Sequence, residues 1–305
     1  MVTFLNIDAP ALIAGILSAL VCGLLGNILL LRRQALLGDA ISHVVLPGLV
    51  LSFTLAGTST AAYFGGAALA ALVAVGLIAL FTRIGRVNND AATGVVFSSF
   101  FALGIVLLSI TGAENTNFDI HTVLFGHLEG NLWLSVTAPA DLLQWRTWQE
   151  LPPAIGHLAV VLVLVLVIGA IAFKELRVLA FDPLFIAVSG GPHRHVAAIV
   201  IVLTALAAVA AFQAVGAILV VAMFVCPAAT ARCLTDRLDT QIMLSAIVAV
   251  LAAVLGYLSA AFGPQLVGLQ GSVNAAGVIV IVAGLMQLAA MLAGPARHGR
   301  DRALQ

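Results

Sequence analysis

Along the 305 residues, long apolar runs alternate with short polar breaks. Nine runs read as membrane spans, at about residues 10–31, 37–56, 61–82, 91–111, 155–173, 195–213, 216–231, 241–262 and 273–293. A span needs about 20 mainly apolar residues, and somewhat fewer where neighbours bury its ends. None of the runs alternates apolar and polar residues as the strands of a lipid-facing barrel do, so the elements predicted are helices. The sixth and seventh runs are separated only by Gln213-Ala214-Val215-Gly216, which leaves eight spans as the alternative count.

Composition agrees with this pattern. The chain is 62% hydrophobic and 9% charged, with a mean hydropathy of +1.17. A soluble domain carries roughly 25% charged residues, and a soluble core cannot absorb this much apolar surface behind a wettable exterior. The fold class predicted is an all-α polytopic membrane protein, a single transmembrane domain over residues 1–305. The first ten residues, MVTFLNIDAP, lack a basic leader region and a clear small-residue cleavage site, so the first run reads as a retained span.

The basic residues set the orientation. With nine alternating spans, twelve of the thirteen Lys and Arg residues fall on one side, and only Arg146 falls on the other. Positive charge marks the cytoplasmic side, so the N-terminus is expected outside and the C-terminus inside. An eight-span chain breaks that pattern. The one long outer segment, residues 112–154, carries Asp119, His121, His127 and Glu129. Trp133, Trp145 and Trp148 also lie there, as expected of a loop resting at the bilayer interface. Its acidic and histidine residues read either as a wetted face or as a contact for a metal or a partner. With a net charge of zero, nothing suggests nucleic-acid binding through a basic face. Cys22, Cys226 and Cys233 form no CxxC pair and read as packing residues.

Against this background, LLGDAISHVVLPG at residues 36–48 stands out. Asp39 and His43 are four residues apart and share one helix face. Ionisable groups inside a span are costly and usually face a cavity or a partner. The plainer reading is a local carboxylate–imidazole contact that neutralises both. As metal ligands they supply one oxygen and one nitrogen, half of a four-ligand set that a symmetric second subunit would complete. That donor set suits a divalent transition ion. Pro47 and Gly48 predict a broken helix with freed carbonyls. Phe97, Phe100 and Phe101, at helical spacing, read as core or lipid-facing packing. His157, His193, His195 and His298 sit near span ends and suit interfacial roles.

The longer stretch ALLGDAISHVVLPGLVLSF resembles the signature of the manganese/zinc/iron permease family of ATP-binding-cassette (ABC) importers. NNDAATGVVFSSFFALGIVLLS, KELRVLAFDPLFIAVSGG and GAILVVAMFVCPAATARCL are similar to that family's following spans, coupling segment and Pro-Ala-Ala-Thr-Ala-Arg span. The resemblance implies a fold like the cobalamin and siderophore importer permeases with one helix fewer. It also implies that Asp39 and His43 coordinate the transported ion near a dimer axis. The outer loop looks most like the manganese-type branch, with Mn2+, Zn2+ and Fe2+ all open as cargo.

Partners follow from the same resemblance: a separate ABC ATPase, an extracellular or periplasmic metal-binding protein, and a second permease copy or paralogue, in the lipid of a bacterial cytoplasmic membrane. The chain contains no G-x-x-x-x-G-K-[ST] motif, and its one lysine, Lys174, follows no glycine loop. By pattern alone, the cytoplasmic segment 174–194 holds a solvated loop with a short helix begun by Asp182-Pro183. The family match makes them a coupling segment, with Phe181, Asp182, Pro183, Leu184, Phe185, Gly190 and Gly191 meeting the ATPase. A proton-coupled secondary carrier using Asp39 is the alternative, although no internal repeat of the spans supports it. An intramembrane enzyme finds no support, since neither G-x-S-x-G nor H-E-x-x-H occurs.

Overall fold

A computed structural model describes residues 4–56, 60–111, 128–133, 150–181, 193–266 and 273–294. Among these, ten α-helices follow in order: α1 (Ala9–Leu31), α2 (Leu36–Ala56), α3 (Thr60–Ile84), α4 (Asn89–Thr111), α5 (Pro153–Ile171), α6 (Phe173–Phe181), α7 (His193–Val215), α8 (Ala217–Leu234), α9 (Leu238–Leu266) and α10 (Ala275–Ala293). All but the short α6 are long and apolar enough to cross a membrane. Helices suit that setting because each satisfies its own backbone hydrogen bonds where no water can.

The break between α7 and α8 is a single residue. Gly216 takes φ 82°, in the left-handed region open to glycine, and separates the two helices. Nine spans are therefore described rather than eight. The fifth span stops at Ile171, two residues earlier than the apolar run implies. After Ala172 the chain forms α6, which buries Leu176, Leu179 and Ala180 and leaves Lys174 and Arg177 exposed. Its alternation of charged and apolar residues suits one wet and one dry face.

α1 forms the centre, lying against α5, α7, α8 and α9, while α2 packs between α3 and α4. Small residues make this closeness tolerable: Ala11, Ala14, Ala19 and Cys22 on α1 are all fully buried. Cys22, Cys226 and Cys233 are free thiols. A polar clamp ties α1 to α9 inside the apolar interior. Gln241 Nε2 donates to Asn27 Oδ1 at 3.0 Å, Asn27 Nδ2 donates to the Gly23 carbonyl at 2.8 Å, and Ser245 Oγ donates to that same carbonyl at 3.1 Å. At the opposite end of α1, Tyr257 donates to Asp8 Oδ1 at 2.7 Å. Trp133 is 2% exposed, and its backbone N–H donates to the Asn6 carbonyl. Trp145 and Trp148 lie outside the described residues.

Candidate ion site on the second helix

Asp39 lies in the first turn of α2, where the positive end of the helix dipole favours an anion. The residue before it determines how α2 is seated. A Cβ on Gly38 would stand 2.7 Å from Cδ2 and 2.9 Å from Cγ of Phe224, a buried residue of α8. Glycine thus lets the start of α2 lie directly on that ring. Further along, Gly48 meets the Gly66 backbone, which brings α2 and α3 equally close.

His43 follows one turn after Asp39, and its Nε2 lies 3.5 Å from Asp39 Oδ1. Charge-assisted bonds between such groups run about 2.7–2.9 Å, so the pair is open rather than closed on itself. The side chains are 41% exposed for Asp39 and 25% for His43. Two ionisable groups on one face, neither sealed nor tightly bonded to the other, are what a shared ligand needs. Among the described residues, no cluster of three or more His, Cys, Asp or Glu forms. Asp39 and His43 stand here as a pair without a third such residue among those described.

The helix does not break at Pro47. α2 runs on through it to Ala56, which corrects the expected interruption. Proline removes only its own N–H, so the carbonyl deprived of its helical donor is that of His43, four residues back. The close packing with α3 and α4 holds the rest of the helix together. The Ser42 hydroxyl is buried and donates to the Gly38 carbonyl at 3.0 Å, turned back onto its own helix.

Two of the three phenylalanines of α4 pack against the site. Phe97 and Phe101 stand edge-on to the His43 ring, with centroids 5.2 Å and 5.7 Å away. Spacing reveals that these two share a face of α4, but nothing in the sequence pairs that face with His43. His157 likewise stacks on Phe64 at 4.4 Å.

The other candidates are only partly described. Phe181 ends α6 and is half exposed, whereas Asp182, Pro183, Leu184, Phe185, Gly190 and Gly191 lie outside the described residues. So do Asp119, His121 and His127. The backbone of Glu129 belongs to the short 3-10 turn Leu128–Gly130, but its side chain falls outside the description.

The ABC 3 transport family matches residues 5–139 and 151–294 of this chain. The manganese transport system membrane protein MntD of Bacillus subtilis (strain 168) is 37% identical over 293 residues, 96% of this chain and 94% of that protein. The zinc transport system membrane protein TroD of Treponema pallidum (strain Nichols) is 34% identical over 279 residues, 91% of this chain and 71% of that protein. Among solved structures, PsaBC from Streptococcus pneumoniae in complex with Fab aligns with a TM-score of 0.69 at 33% identity, covering 92% of this chain and 90% of the other.

Proposed function

The chain belongs to the ABC 3 transport family, and on that premise we propose that it is the permease subunit of an ATP-driven importer of a divalent transition-metal ion. The carrying observation is the open Asp39–His43 pair, two candidate ligands on one face of α2 with no third beside them among the described residues. A two-fold partner, identical or paralogous, supplies the same pair again and makes a site of two carboxylates and two imidazoles. Such a set accepts Mn2+, Fe2+ or Zn2+. Manganese is the leading cargo, because it is named for MntD; the zinc named for TroD is the competitor.

Energy comes from a separate ATPase that docks on the segment running from Phe181, the last residue of α6, through Gly191. The ion arrives from an outer binding protein and leaves on the side that carries the basic residues. The N-terminus is outside and the C-terminus cytoplasmic.

Uptake of radiolabelled Mn2+ into cells lacking their own importers, with and without the co-expressed ATPase, tests this reading. Asp39→Ala and His43→Ala should each abolish uptake while the protein remains in the membrane at its usual level. Uptake by the chain alone, driven by a pH gradient, would instead make it a secondary carrier.

A further inference from the structure

The two nitrogens of His43 have different surroundings. Nε2 is turned toward Asp39, while Nδ1 is buried and has no hydrogen-bond partner among the described residues. A histidine that ligates through one nitrogen carries its proton on the other. In most metal sites that N–H is held by a carboxylate, a carbonyl or a water, which fixes the ring. At His43 an aromatic wall meets the ring instead. Phe97 and Phe101 are stacked on each other, with centroids 6.2 Å apart and planes 20° apart, and both meet the imidazole edge-to-face, at 63° and 83°.

We propose that Phe97 and Phe101 are positioning residues for the ion site, holding the His43 imidazole so that Nε2 points with Asp39 toward the ion. Edge-to-face pairs at these separations are attractive beyond simple burial, because the positive rim of one ring meets the negative face of another. An N–H directed at a ring face adds a weak bond of the same sense. The wall is held at a set distance: a Cβ on Gly104 of α4 would stand 2.9 Å from the Leu46 side chain of α2, so the two helices touch just beyond the site. Without the rings, the imidazole rotates among several orientations, and ordering it counts against ion binding. The inference rests on Asp39 and His43 being ion ligands.

The test uses the full chain purified with its ATPase in lipid nanodiscs, with Mn2+ as the probe and the paramagnetic resonance signal of free Mn2+ as the readout. Phe97→Leu and Phe101→Leu should each weaken binding roughly three- to tenfold, the range an aromatic pair is worth. Phe97→Tyr, which keeps the ring, should bind as wild type. So should Phe100→Leu, which removes a half-buried ring from the same helix and controls for lost packing. In a His43→Ala background, Phe97→Leu should cause no further loss, a coupling that a merely structural role would not produce. Should His43→Ala lose binding while both leucine variants stay within about twofold of wild type, or should Phe97→Leu weaken binding equally in either background, the positioning role is overturned and the ion site stands. If His43→Ala itself binds Mn2+ as wild type does, the ion site is refuted and the inference with it.

Discussion

Replacing Gly38 by alanine adds one carbon beside the ion site, and the structure predicts its consequences in some detail. The new Cβ would lie 2.7 Å and 2.9 Å from two atoms of the Phe224 ring, well inside contact distance. Phe224 cannot withdraw easily, because it is 2% exposed and its carbonyl already lies against Gly26 of α1. Overpacking of this kind costs about 1–3 kcal/mol, while exchanging glycine for alanine inside a helix returns about 1 kcal/mol. With a rigid neighbour the upper part of the first range applies, leaving a net loss of about 1–2 kcal/mol. For a chain of this size that corresponds to a melting shift of roughly 2–3 °C.

The effect on uptake should exceed the effect on stability, since the displaced turn carries Asp39. Gly76→Ala on α3 is the control: no atom stands within 4 Å of its added Cβ, and the same substitution there should be neutral or mildly stabilising. Melting of the purified protein in detergent, together with Mn2+ uptake, separates the two. Adding Phe224→Leu to Gly38→Ala should cost less than the sum of the single changes, because the smaller side chain makes room for the methyl. If Gly38→Ala and Gly76→Ala melt and transport alike, the seating of α2 on Phe224 does not position the site.

Three further outcomes can be checked by melting of the purified protein. Gly216→Ala forces a Cβ into the left-handed region at φ 82° and should cost about 1–2 kcal/mol, loosening the junction of α7 and α8. Tyr257→Phe removes the 2.7 Å bond to Asp8 and should cost about 1 kcal/mol, with the buried core unchanged. Asn27→Leu removes the acceptor of Gln241 Nε2 and should cost about 1–3 kcal/mol. The double change Asn27→Leu with Gln241→Leu should recover part of that loss, since no buried amide is then left without its partner; a fully additive cycle would refute the clamp.

Much of this protein is written in local pattern. Nine apolar runs of membrane length, with basic residues gathered on alternate breaks, specify the spanning helices, because a bilayer admits little else. The four-residue spacing of Asp39 and His43 places both on one face, since helix geometry alone relates residues i and i+4. Tertiary packing decided the rest. Whether Gln213–Gly216 was a kink or a junction depended on the φ of Gly216, and whether Pro47 broke α2 depended on how tightly α3 and α4 hold that helix. That Trp133 is buried against its own chain was likewise decided by packing. The ring contacts of His43 with Phe97 and Phe101 join helices more than fifty residues apart in the chain. Lipid tails are as apolar as leucine, so hydrophobicity cannot say which helix faces which neighbour. That choice falls to close fit between small residues and rings, such as Gly38 on Phe224, which is a property of two surfaces meeting and is carried by neither segment alone.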